Sequence, residues 1–348
     1  MSEMRDILTD TVTRLFADLV TRETLQDAEN GIWPEALWNA CEENGLTLAL
    51  VPEERGGAGL SWADSFAIAR AAGYYGPPIP LVETMLGAWL LAGAGIDVPD
   101  GPMTVAPVRA IDSLLIDGSA LSGKAAAVPW GRQARHTVVL TGGAVALAAL
   151  DAATIEEDCN IAREPRDTVT FDNAPIVALA QTALPPDTLQ LYGAMFRAAQ
   201  LAGGVARALD ETVQYAGDRI QFGRPIGKFQ AIQQNLAALA GQMALAGAAA
   251  EMAFRAADRG NPQFEAASAK VVTGDAASSA AATAHQIHGA IGFTYEHILQ
   301  FTTRRLWSWR AEFGAESRWA EELGRGIAGR GADAFWPDLT ARQAGMLP

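Results

Sequence analysis

The sequence is poor in cysteine, histidine and positive charge. Two cysteines in 348 residues, Cys41 and Cys159, are too few and too far apart for a disulfide framework or a thiolate zinc site. Of four histidines, His285 and His288 sit one helical turn apart. Zinc sites normally take three or four ligands, and no cluster at ligand spacing joins this pair beyond the adjacent Glu296–His297, so no metal is expected. Lys and Arg number 26 against 40 Asp and Glu, a net charge of −14. An acidic surface argues against binding a phosphate backbone as the main role, so no nucleic-acid partner is expected. It leaves room for an anionic ligand held by a few local arginines. The opening MSEMRDILTD lacks the apolar core of a signal peptide, and apolar stretches such as MLGAWLLAGAGI are too short to span a bilayer. No membrane contact and a cytoplasmic location are the expectation. No G-x-S-x-G elbow of a serine hydrolase is present.

Apolar residues make up 49% and charged residues 19%, an ordinary globular balance, and the length suits two or three domains. Residues 1–103 read as a helical domain, with Ile7, Leu8, Val12, Leu15, Phe16 and Leu19 at helical spacing. A second helix is expected from Pro34 to a stop at Gly45, a third from Trp62 to about Ala72 and a fourth over Met85–Ala94. Residues 104–182 carry short apolar runs split by Gly, Pro, Asp and Asn, the pattern of a small β domain. Residues 183–348 are Ala-rich, and runs over 187–216, 231–258, 263–288 and 296–328 predict four long helices in a bundle.

Two glycine motifs are near misses. Gly118–Lys124 resembles a P-loop, but Ala125 stands where a Mg²⁺-binding hydroxyl belongs and Pro129 falls where a helix should continue. A hairpin turn is the better reading, which leaves little for a nucleotide hydrolase built on Lys124. Gly324–Gly329 fits G-x-G-x-x-G in spacing but follows a helix rather than a strand, and reads as a frayed end.

Two segments are more specific. Arg219-Ile-Gln-Phe222-Gly223-Arg224-Pro225-Ile226-Gly227-Lys228-Phe229-Gln230 joins two helical patterns. It offers a guanidinium for a pyrophosphate and close backbone approach at glycine; a plain helix connection with a solvated Arg/Lys pair fits the pattern equally well. Gln286-Ile-His-Gly289-Ala-Ile-Gly292-Phe293 ends one helix near the start of another, a place for a glycine cap and also for a phosphate.

Together with Leu50-Val-Pro-Glu-Glu-Arg-Gly-Gly-Ala-Gly-Leu-Ser61, Ala269-Lys270 and Asp275, these segments resemble the acyl-CoA dehydrogenase family in order and spacing. The resemblance implies a mainly α fold with a small β domain: an N-terminal helical domain, a middle β-barrel-like domain and a C-terminal four-helix bundle. It implies FAD, a tetramer (homo-oligomer or dimer of dimers), and oxidation of an acyl-CoA thioester to its 2-enoyl form, with an electron-transfer flavoprotein as acceptor. By the same resemblance Arg219, Phe222, Phe229 and Gln230 reach a flavin held mainly by a neighbouring subunit, and Gln286, Gly289 and Gly292 meet its pyrophosphate and adenosine.

The sequence departs from the family at the chemistry. The middle domain lacks the T-E-P-x-x-G-S-D stretch, of which SGKAAAVPWGR, with Lys124 and Trp130, is the remnant. The usual catalytic glutamate falls on Phe313, the alternative base position on Gly193, and the following Thr and Gln on Ala315 and Ser317. Glu312 is the nearest carboxylate and the one candidate base, but one residue turns a helical side chain by about 100°. Two functions follow. One is an FAD-dependent acyl-CoA dehydrogenase, acting alone or in a hetero-oligomer, in fatty acid or steroid catabolism; an Ala-rich pocket wall suits a bulky acyl group. The other is a silent subunit completing the flavin site of a base-carrying partner chain, as in some branches of the family.

Overall fold

A computed structural model of the chain describes residues 3–109 and 111–343. The apolar spacing of Ile7 to Leu19 becomes α1 (Glu3–Leu19). Next comes α2 (Arg22–Glu29), where the Thr21 hydroxyl accepts from the Thr24 N–H at 3.2 Å. This short, polar helix leaves almost no periodic signal, and the sequence reading passed over it. α3 (Glu35–Glu43) starts after Pro34, α4 (Trp62–Tyr75) starts at a Ser61 cap, and α5 is Leu81–Gly93. α4 runs a few residues past the stretch read from the sequence, and α5 starts at Leu81, before the Met85 read from the sequence, and stops at Gly93.

The strands are β1 (Met103–Ala106), β2 (Ser113–Asp117), β3 (Ala120–Pro129), β4 (His136–Thr141), β5 (Ala144–Ala149), β6 (Thr154–Glu156) and β7 (Arg166–Gln181). The sheet order is β1-β4-β5-β7-β3-β2, with β6 also on β7. β7 pairs with β3 through its first half and with β5 through its second, which curls the sheet around Leu121, Val139, Ala146, Val169 and Phe171. The P-loop look-alike is the β2–β3 hairpin, Lys124 lying opposite Ser113.

The C-terminal half holds α6 (Thr188–Asp218), α7 (Gln230–Ala257), α8 (Gln263–His288), α9 (Leu299–Trp309), α10 (Glu316–Arg330) and α11 (Ala332–Gln343). The helix expected over 296–328 is broken in two, because Phe313 and Gly314 take φ of 53° and 98°, outside any right-handed helix. The G-x-G-x-x-G match does not fray: it lies inside α10, and α11 follows.

Small residues set the helix packing. α4 and α6 cross where a Cβ on Gly73 would overlap the Gln200 carbonyl and one on Gly203 the Arg70 carbonyl. Beside this crossing, Trp62, Trp89, Tyr192 and Phe254 form one aromatic cluster, with Trp89 and Tyr192 centroids 4.6 Å apart. α7 is long and apolar enough by composition to cross a membrane, a feature the sequence reading missed. It packs on α6 and α8 as a bundle helix does, and leaves Leu245 and Met252 exposed.

Candidate functional site

The loop between α9 and α10, residues 310–315, carries both Glu312 and Phe313. Its backbone is tied from inside the protein. Lys270 on α8 is fully buried, and its ammonium donates to the carbonyls of Trp309 (3.3 Å), Arg310 (2.5 Å) and Gly314 (2.9 Å). Burial lowers the Lys270 pKa to about 7. These carbonyls at the end of α9 and in the loop would otherwise be short of donors, and the lysine serves as their cap.

Glu312 enters a network of buried charges. Arg166 donates to it from Nε at 2.7 Å and from Nη2 at 3.1 Å, Arg197 from Nε at 2.7 Å, and the Asn160 amide at 3.2 Å. Arg197 continues to Glu83 on α5 at 2.5 Å. Arg166 continues to Glu164 at 2.9 Å, which also pairs with Arg305 on α9 at 3.0 Å and accepts from the Trp309 indole at 3.0 Å. Three guanidinium groups balance three carboxylates and tie α5, α6, β7 and the end of α9 together. Burial by itself would raise the Glu312 carboxyl, but Arg166 and Arg197 override it and bring the pKa down to about 2.

Phe313 is 5% exposed, and its ring lies against α6. A Cβ on Gly193 would overlap ring atoms Cδ1 and Cε1. Phe313 and Gly193, onto which the resemblance puts the two base positions, therefore touch, and the ring fills the space that a side chain at 193 would need. The Arg197 guanidinium sits 5.6 Å from the ring centroid.

On the outer side of this loop is a chamber of about 490 Å³ between the sheet and the bundle. Ala127 and Pro129 of β3, Gln190 of α6, Arg109, Arg318 and the 311–314 loop help to wall it. Behind Phe313 only about 10 Å³ remains, among Val82, Leu86, Val105 and Phe196. The deep end is closed by the ring.

The residues with expected cofactor contacts lie elsewhere, at one end of the bundle. α6 ends at Asp218 with Arg219 as its cap, and a two-residue turn at Phe222 and Gly223 (φ 52° and 78°) joins β8 (Ile220–Gln221) to β9 (Arg224–Pro225). Phe222 is 93% exposed at the tip, and Arg219 and Gln230 are exposed at the base. Phe229 is half-buried under the Arg224 guanidinium, 4.3 Å from its centroid. One turn before Arg219, Tyr215 stacks on His288 at 4.3 Å, which brings the second segment alongside. There Gln286 and Gly289 are exposed. Gly289 has φ 66° and open space where a Cβ would be, while Gly292 is buried on His285 and His288. The structure thus gathers Arg219, Phe229, Gln230, Gln286 and Gly289 into one exposed region, and none of them lines the chamber where Glu312 sits. The histidines serve packing here: His285 stacks on Phe293 at 3.9 Å, and its Nε2 lies 2.8 Å from the Thr303 hydroxyl.

Sequence reasoning missed the charge network. Its one visible signal was Arg197, the one charged residue in the first half of α6.

The family description "Acyl-CoA dehydrogenase, C-terminal domain" matches residues 191–327, and "Acyl-CoA dehydrogenase, N-terminal domain" matches 2–97. The chain is 30% identical over 313 residues to acyl-CoA dehydrogenase IpdE2 of Mycolicibacterium smegmatis, covering 88% of this chain and 93% of that one. It is 31% identical to IpdE2 of Mycobacterium tuberculosis, covering 87% and 91%. Among solved structures, the steroid acyl-CoA dehydrogenase Tcur3481-Tcur3483 superposes with TM-score 0.85 at 25% identity, covering 94% and 98%. The ChsE4-ChsE5 complex of Mycobacterium tuberculosis gives TM-score 0.85 at 20% identity over the same shares, a likeness of fold.

Proposed function

The chain belongs to the acyl-CoA dehydrogenase family, and on that premise we propose that it is the non-reacting subunit of a two-chain acyl-CoA dehydrogenase. It lends its Arg219–Gln230 and Gln286–Gly292 segments to a flavin seated in a base-carrying partner. The observation that carries this reading is the contact of Phe313 with Gly193. Removing the α-proton of a thioester needs a carboxylate within hydrogen-bonding reach of it. At one base position this chain has a phenyl ring, and at the other it has no room for any side chain.

The exposed cluster suits FAD better than the chamber does. Arg219 presents a free-standing guanidinium, and Gly289 an open backbone that a pyrophosphate can approach. In the chamber, Pro129 has no N–H to donate, and the Glu312 oxygens are taken by two arginines. When bound, FAD supplies the hydride acceptor. This chain's part is to hold: Arg219 offsets phosphate charge, Gln230 and Gln286 offer amide donors, and the projecting Phe222 covers the partner's surface and excludes water. The acyl-CoA substrate and the contact with an electron-transfer flavoprotein belong, in this reading, to the partner side. The two-chain name of the steroid acyl-CoA dehydrogenase supports pairing and a bulky acyl group.

A self-sufficient homo-oligomeric dehydrogenase with Glu312 as base has one observation in its favour, that Glu312 lines the chamber. A carboxylate held near pKa 2 by two guanidinium groups has little proton affinity, and that weighs against it. The test is turnover of acyl-CoA by the purified chain, alone and mixed with a base-carrying relative. Activity only in the mixture supports the proposal, and turnover by the chain alone overturns it.

A further inference from the structure

The two segments proposed for the flavin lie at the ends of α6 and α8, and one side chain touches both. Tyr215, in the last turn of α6, accepts at its carbonyl from the Arg219 N–H at 2.8 Å. Its hydroxyl donates to the His288 carbonyl at 3.3 Å, one residue before Gly289. Its ring stacks on the His288 ring, with centroids 4.3 Å apart and planes 19° from parallel. The His288 ring is in turn fixed from its own helix, because Nδ1 donates to the Ala284 carbonyl at 2.8 Å. The His297 ring stands against it at 4.7 Å, planes 72° apart, and accepts at Nδ1 from the Leu299 N–H at the start of α9. Burial brings the His288 pKa down to about 4, so the ring is neutral at neutral pH. Its Nε2 is buried without a hydrogen-bond partner among the described residues. As filler alone an imidazole is a costly choice, because that nitrogen loses water and gains nothing. What it adds over an apolar ring is the bond to Ala284, which sets the plane that Tyr215 meets.

We propose that Tyr215 and His288 are a positioning pair, whose stack sets the spacing between the Arg219 side chain and the Gly289 backbone so that both reach one dinucleotide. What surrounds those two groups is otherwise exposed: Gln221, Phe222 and Gly223 on one side, Gln286, Ala290 and Ile291 on the other. Two segments held in register give up little freedom when the ligand binds. Two that move independently lose that freedom on binding, and affinity falls by it. The pair acts through Arg219 and Gly289. The inference rests on the reading that these segments hold a partner's FAD, and it names what keeps them in place.

The experiment has two readouts, and the first needs no cofactor. Spin labels at Gln221→Cys and Ala290→Cys, both exposed, in a full-length Cys159→Ser chain report the distance between the segments by pulsed electron resonance. The parent and Tyr215→Phe, which keeps the ring, should give one narrow distribution, and Tyr215→Leu should broaden it. The second readout is FAD release from the assembly with a base-carrying partner. Tyr215→Leu and His288→Leu should weaken retention about tenfold, and Tyr215→Phe should restore it. Phe171→Leu, in the buried core of the sheet, controls for lost stability and should lower the melting temperature without moving either readout. An unchanged distribution in Tyr215→Leu overturns the inference, as does broadening of equal size in Phe171→Leu. Retention in Tyr215→Leu equal to the parent's, where Arg219→Ala releases the flavin, also overturns it. A parent assembly without flavin, or one indifferent to Arg219→Ala, sinks the functional reading instead, and the distance readout still decides whether the pair sets the spacing.

Discussion

The ring of Phe313 and the missing side chain of Gly193 are one feature: the ring lies where a Cβ on residue 193 would be. Each residue explains the other, and together they close the inner end of the chamber. A double-mutant cycle reads the coupling. Gly193→Ala is expected to cost about 1–3 kcal/mol through overpacking. In a Phe313→Ala background the same change should cost far less, because the space has been vacated. Urea melts of the four proteins measure it, and additive effects would contradict the contact.

Glu312 is a structural anchor by its geometry. Glu312→Gln leaves Arg166 and Arg197 short of a counter-charge in the interior and should destabilise the chain by about 3–5 kcal/mol. The same residue sets an acid limit. Its folded pKa is about 2 against an ordinary 4.5, so the unfolded chain takes up the proton first. The stabilisation is complete above about pH 4.5 and is lost as pH falls toward 2. Thermal melts across that window should show a shallower slope in Glu312→Gln than in the parent chain.

Lys270 gives the opposite trend on the alkaline side. Its folded pKa lies near 7 and its unfolded value near 10.5, so between them the unfolded chain holds the extra proton. Stability therefore gains from this group as pH rises from about 7 toward 10.5. Lys270→Met should remove that gain, and should also loosen residues 309–314 by deleting three hydrogen bonds to their carbonyls. Hydrogen exchange of the loop amides is the second readout.

Arg219→Ala should leave the melting temperature of the isolated chain unchanged, because the side chain is exposed at the end of α6. In the assembly with a base-carrying partner it should weaken flavin retention about tenfold or more, the loss of a charge-assisted phosphate contact. Unchanged flavin release on dilution would remove Arg219 from the cofactor site.

Much of the architecture was legible in the chain because its signals are local. The 3–4 spacing of Ile7 to Leu19, the Gly/Pro-split runs of 104–182 and the long Ala-rich stretches name their elements directly. α2 was not legible, being short and polar, and neither was the break at Phe313–Gly314, since a phenylalanine in left-handed backbone carries no sequence mark. That Phe313 and Gly193 carry no carboxylate was visible. The charge network beside them was not, because Glu83, Glu164, Arg166, Arg197, Arg305 and Glu312 lie up to 229 positions apart and meet only in the folded core. Glu312 looked like a candidate base in one dimension, and three dimensions surround it with cations.

The flavin content of the purified two-chain assembly tests the central claim most directly. If this chain holds the flavin of its partner and none of its own, absorbance at the flavin maximum should give one FAD for each pair of chains. One FAD for every single chain would show its own chamber occupied and contradict the account.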